Sequence, residues 1–244
     1  MRNLEKLLLV LIPAVCAGLI QGVTGFGAGI VMMIFLPMIF PVVTSAGISQ
    51  SICLVLTFMM FLRYRKYANL KLIAWPAVIF LVISSICMQF SQYVNQNLMK
   101  LILGIFLLLL SIWFLFLARD GFHPKGIVSF LCVAISGMCD GLFGVGGPLM
   151  VVLFLSRTES KEEYLGTIQS FFLLTVLYAV GFRFMNGLLP FDAISYILIG
   201  IVGVLSGLVV ANKIVERING ELLKKLTYVL IGISGIINVI TVLL

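Results

Sequence analysis

Charge is scarce in this chain, and histidine scarcer. Of 244 residues only 10% are Asp, Glu, Lys or Arg, 62% are hydrophobic, and His123 is the single histidine. A folded globule needs a polar exterior, so a soluble domain of this composition is excluded. The five cysteines (Cys16, Cys53, Cys87, Cys132 and Cys139) are scattered through apolar runs and form no C-x-x-C pair. Disulfide, zinc and haem readings therefore lack support, no metal or other cofactor is expected, and the cysteines read as small packing residues. A nucleotide loop is missing as well. "GFGAG" and "GLFGVGG" have no βαβ context, and the chain contains no G-K-[ST]. One loop histidine and one intramembrane acid supply too little for a nucleophile and base, so an enzyme is not expected. The net charge of +7 does not point to nucleic acid, because Lys and Arg at helix ends are what membrane orientation requires.

What the chain does have is long apolar runs. Polar punctuation leaves eight of them, at about 4–40, 43–62, 70–90, 98–118, 126–155, 164–184, 190–212 and 222–244. A bilayer-crossing helix needs about 20 such residues. The alternation of an outer-membrane barrel is absent, so the fold class is an all-α polytopic membrane protein with the lipid bilayer as its first partner. The N-terminus "MRNLEKLLLVLIPAVCAG" imitates a signal peptide. A similar apolar segment leading into glycines recurs at 126–137, so an uncleaved first membrane segment is the better reading.

Two runs, the first and the fifth, are too long for one crossing at 1.5 Å per residue. Both are interrupted by glycines, and the interruptions align. "GLIQGVTGFGAG" at 18–29 and "GMCDGLFGVGGP" at 137–148 match at a constant offset of 119, which also places Gln50–Ser51 on Gln169–Ser170. The expectation is one transmembrane transporter domain over 1–244, with internal repeats 1–119 and 120–244.

Charge counting discriminates two topologies. Eight simple crossings in a 4+4 repeat put nine basic residues inside against seven outside. If the long runs are hairpins, the loops 63–71, 119–125, 157–161 and 213–225 gather on one side with twelve of the sixteen. Only Arg2, Lys6, Lys100 and Arg183 fall on the other. The positive-inside rule favours two inverted repeats, each a broken-helix hairpin plus three transmembrane helices, although Arg2 and Lys6 then lie outside.

Irregular backbone survives in a membrane only inside protein or beside a polar cavity, so paired breaks point to a transport site. Helix N-termini expose N–H donors and partial positive charge, which suit an anion. Pro148 fits a first-turn position. The candidate site is therefore Gln21, Thr24, Gly25, Phe26 and Gly27 from the first break, and Asp140, Gly144, Gly146, Gly147 and Pro148 from the second. Ser51 and Ser170 add hydroxyl donors, and Gln50 and Gln169 amide donors. Gly18, Gly137 and the pair Gly203/Gly207 fit close helix packing better than a break.

An acid within a membrane segment is costly and marks a functional candidate. Asp140 can carry a coupling proton or anchor its hairpin by accepting backbone hydrogen bonds. Its repeat partner, Gln21, cannot titrate, which favours anchoring. A cation or metal permease using Asp140 and broken-helix carbonyls is the competing reading, weakened by the lack of further intramembrane acids or histidine. Arg183, Asn186 and Asn238 read as lesser polar candidates near helix ends.

At "GxxQGxxGFGxG" and "GxxxGxxGxGGP", and in its duplicated layout, the sequence resembles the sulfite exporter TauE/SafE family over essentially its whole length. That resemblance implies a permease or exporter of sulfite, thiosulfate or an organosulfonate such as sulfoacetate, in a prokaryotic inner membrane. With no nucleotide motif, an ion gradient would supply the energy.

Overall fold

The computed structural model describes residues 3–117 and 124–214, with residues 229, 232–233 and 235–242 near the C-terminus. Loop positions 119–123 of the charge count, His123, and most of the eighth apolar run lie outside these residues. Every regular element among the described residues is helical: α1 (Asn3–Thr24), α2 (Ala28–Phe35), α3 (Val42–Tyr64), α4 (Leu70–Ser91), α5 (Gln96–Ile112), α6 (Ile127–Phe143), α7 (Gly147–Leu155), α8 (Lys161–Met185) and α9 (Ile194–Ile214). Five helices among the described residues are long and apolar enough to cross a membrane. Their outward faces carry exposed apolar side chains such as Ile12, Val78, Phe90 and Leu198, as a lipid-facing surface requires. The chain is an integral, multi-pass membrane protein.

Both long runs break where the glycines fall. α1 ends at Thr24 and α2 starts at Ala28; α6 ends at Phe143 and α7 starts at Gly147. Gly25 (φ 85°) and Gly144 (φ 68°) take the left-handed conformation that stops each first helix, a conformation only glycine adopts at low cost. The Gly144 amide donates to the Asp140 carbonyl at 2.7 Å and the Gly25 amide to the Gln21 carbonyl at 2.8 Å. Both second helices fold back against the first: a Cβ at Gly146 would lie 2.8 Å from that of Asp140, and one at Gly27 3.4 Å from Ile20. Pro148 sits in the first turn of α7.

Small residues set the long-helix packing. Gly18 and Gly22 of α1 press against Val204, Leu208 and Ala211 of α9, while Gly203 and Gly207 of α9 press against Ala14 and Val15. Contacts advance together along both chains, so α1 and α9 run parallel. Gly137 of α6 meets Phe80 of α4, and Gly141 meets Ser84 and Cys87, again a parallel pair. With no Cβ in the way, the backbones approach closely, which drives association in lipid. α3 and α8 instead run antiparallel, since Gly47 lies against Arg183 and Gly166 against Tyr64.

Polar contacts tie the helix ends into two faces. At one, Arg63 donates to Asn212 at 2.6 Å, Asn69 donates to Glu163 at 3.0 Å, and Arg157 donates to Ser129 at 2.8 Å while lying over the Trp75 ring. There Ser160 caps α8 by accepting from the Glu163 amide at 3.1 Å. At the other end Gln96 accepts from the Val42 amide at 3.1 Å, and Phe40 packs edge-on to Tyr196.

Candidate functional site

The two breaks meet in the middle of the protein. A Cβ at Gly29, at the start of α2, would lie 3.1 Å from the Gly144 carbonyl oxygen. α3 and α8 cross beside them: Gly144 packs on Ala46 and Gln50 of α3, and Gly25 on Leu165 of α8. Between these elements lies a cavity of about 60 Å³, several times the roughly 10–15 Å³ that admits one water. Gln21, Gly27 and Gly29 form one wall; Asp140, Gly144, Gly146 and Gly147 form the opposite one. α3 contributes Ser49, Gln50, Cys53 and Thr57, α4 contributes Phe80, and α8 contributes Phe172, Thr175 and Val176.

Of the residues expected at the site, the cavity wall thus gathers Gln21, Gly27, Gln50, Asp140, Gly144, Gly146 and Gly147. The others lie nearby in holding positions. The Thr24 hydroxyl donates to the carbonyls of Ile20 and Phe26 across the first break, both at 2.8 Å, and Phe26 and Gly25 pack outward onto the α8 side. Gln169 donates to the Gly25 carbonyl at 2.6 Å, capping the end of the first break. Ser51 and Ser170 turn their hydroxyls back to their own helices, onto the carbonyls of Gly47 and Gly166 at 2.8 and 2.7 Å. Pro148 faces a separate, largely apolar cavity between α5, α6 and α7.

Gln21 and Asp140 occupy matching places with different bonding. The Gln21 carbonyl oxygen accepts from the Ala28 amide, the first N–H of α2, at 3.3 Å, and its amide donates to Thr57 on α3 at 3.3 Å. It therefore anchors its hairpin through backbone, as its position suggests. Asp140 does so differently. Its carboxylate accepts from the Gln50 amide at 3.0 Å and the Ser84 hydroxyl at 2.9 Å, linking α6 to α3 and α4.

Arg183, a lesser candidate in the sequence, stands directly behind the cavity wall, bonded to Gln50. It is fully buried. Its Nε donates to the Gln50 carbonyl oxygen at 2.8 Å, and Nη2 donates to the backbone carbonyls of Asp140 and Gly141 at 3.3 and 2.7 Å. A guanidinium is costly in hydrocarbon unless its donors are used, and here Gln50 takes Nε and the C-terminal carbonyls of α6 take Nη2. The available signal was its isolation: Arg183 is one of four basic residues stranded on the charge-poor side, and it lies within an apolar run.

Broken helices meeting around a small cavity walled by glycines and polar side chains, inside a bundle of apolar helices, are the features of a polytopic membrane protein of transporter type. A family model described as "Sulfite exporter TauE/SafE" matches residues 10–237. The chain belongs to the sulfite exporter TauE/SafE family, a family of membrane transporters. No curated protein and no solved structure matches it.

Proposed function

We propose that the protein is a secondary transporter of small anions, a permease or exporter moving sulfite, thiosulfate or an organosulfonate such as sulfoacetate by alternating access. The cavity between the two glycine breaks carries this reading. It has room for a small oxyanion, the starts of α2 and α7 border it, and amide and hydroxyl groups from α1, α3 and α8 line it. Neutral donors in a water-poor site recognise an anion without a fixed ion pair that would hold it too tightly to leave. A cation permease would draw on Asp140 as a ligand, and one lone pair on each of its oxygens already accepts a hydrogen bond. An ion gradient would drive transport, and the family's sulfite-exporter description suits a prokaryotic inner membrane.

The same reading takes the chain as two inverted repeats, 1–119 and 120–244, rocking about their interface. Three observations support it. Breaks occur at corresponding places, 25–27 and 144–146. α1 lies parallel to α9 and α6 parallel to α4, a reciprocal exchange, while the equivalent helices α3 and α8 lie antiparallel. The loops at 63–71 and 157–161 join at one face through Asn69 and Glu163, which eight simple crossings would put on opposite faces.

Uptake of labelled sulfite, thiosulfate and sulfoacetate into proteoliposomes tests the function. The wild type is expected to move at least one of the three. Gly146→Leu, whose side chain would run into Phe80 and Asp140, is expected to abolish flux, and Asp140→Asn to reduce it. Unchanged flux in both variants would remove the cavity from the account.

A further inference from the structure

Arg183 does not line the cavity, yet the geometry around it reaches the cavity wall. We propose that Arg183 is the positioning residue that makes the site accept an anion beside Asp140. The inference rests on the anion-transport reading above.

An amide side chain has a donor end and an acceptor end, and either can face a neighbour. Arg183 offers donors only. By donating to the Gln50 carbonyl oxygen it turns the Gln50 N–H₂ toward Asp140 and the cavity. The chain Arg183 → Gln50 → Asp140 therefore runs donor to acceptor throughout, and Gln50 presents N–H, not C=O, at the wall. Reversed, Gln50 would set a carbonyl oxygen against a carboxylate next to an incoming anion.

Charge adds to orientation. Asp140 alone would place a negative charge in the wall of an anion site. Arg183, one side chain further back, supplies the opposite charge within a buried, weakly screened network. The groups that Arg183 holds directly, the Gln50 amide oxygen and two backbone carbonyls, are all neutral, so none of them cancels its positive charge. The corresponding position in the first half is Tyr64, and the corresponding acid is Gln21. The first half has neither charge, and the second has both.

A purely structural Arg183 would cap α6 through the Asp140 and Gly141 carbonyls and do nothing more. Charge balance separates the two roles. In proteoliposomes, concentration-dependent uptake of labelled sulfite is measured for wild type, Arg183→Lys, Arg183→Met, Asp140→Asn and the double variant Arg183→Met/Asp140→Asn. Each is first checked for a monodisperse peak in detergent. Arg183→Met is expected to raise KM for sulfite about tenfold or more, as loss of the buried charge that offsets the Asp140 carboxylate through Gln50 implies. The double variant is expected to recover most of that loss, because the uncompensated carboxylate has gone. Arg183→Lys keeps the charge without the fork, so an intermediate KM is expected.

A folded Arg183→Met with wild-type KM overturns the proposal. So does a folded double variant no better than Arg183→Met. If Arg183→Met is recovered only as aggregate, Arg183→Lys decides: a raised KM with an unchanged maximal rate supports the proposal, and a wild-type KM overturns it. Wild-type protein that moves none of the three anions overturns the transport reading and this inference with it, whereas wild-type flux insensitive to Arg183 overturns this inference alone.

Discussion

Gln21 carries the first hairpin on two hydrogen bonds. It satisfies the first amide of α2 and reaches Thr57 on α3. Within lipid neither group has water to fall back on, so removing Gln21 orphans a backbone N–H at a helix start. Interhelical side-chain bonds in membranes average only about 0.6 kcal/mol, while an orphaned buried donor costs about 1–3 kcal/mol. The second effect dominates. Gln21→Leu is therefore expected to lower the apparent melting temperature in detergent by several degrees, and Gln21→Glu less, since its carboxylate can still accept from Ala28. Equal melting of Gln21→Leu and wild type would show that the hairpin is held elsewhere. Asp140 shows why residue type alone misleads at this scale. Its intramembrane position marks it out in the sequence, but the Gln50 and Ser84 donors that its carboxylate meets stand on α3 and α4, which only the folded chain brings beside it. Arg183 was harder to find, because a basic residue near a helix end usually reaches for the interface, and only the folded chain reveals carbonyls buried beside it.

At the scale of the element, glycines in this protein do two separable jobs. Those at 25 and 144 stop helices, while those at 18, 22, 137, 141, 203 and 207 let helices touch. The spacing already separated the classes: four-residue intervals suit a packing stripe, and denser clusters do not. Break positions, hairpin lengths and the first-turn Pro148 were legible for the same reason, because local backbone rules govern them. Pairing between distant helices was not legible. Nothing in the stripe of α1 says that α9 rather than α4 covers it. Gly207→Leu is expected to force α9 off α1, since its Cβ would already run into the Val15 carbonyl, and to leave little monodisperse protein by size-exclusion chromatography. Gly181 on α8 has open space around it, so Gly181→Ala should match or slightly exceed wild type, by up to about 1 kcal/mol. Similar losses in both variants would mean that helical glycine content, not the α1–α9 contact, sets stability.

Across the whole molecule, the two-repeat reading proposed above leaves the halves unlike in charge. α1 packs on α9 and α6 on α4, and both breaks border one cavity. Among the described residues, the second half alone has a buried acid in the cavity wall and a buried base behind it. Such an arrangement suits a transporter whose two halves rock about a shared binding point, with the neutral break held by amide contacts and the charged break by the Arg183–Gln50–Asp140 chain. The candidate site was legible in the sequence to the extent that repeated breaks and their polar neighbours mark it. Ser49, Thr57, Phe80, Phe172 and Thr175 joined it only through the crossing of α3, α4 and α8, which no spacing in the chain encodes.

On the proposed function, a small anion occupies the cavity between the breaks. Equilibrium binding of radiolabelled sulfite to purified protein tests it most directly, with wild type compared against Val176→Phe, a filling substitution at a wall position that carries none of the hydrogen bonds described above. The account predicts saturable, one-site binding to wild type and its loss in a monodisperse Val176→Phe. Saturable binding of equal affinity to both proteins would contradict it.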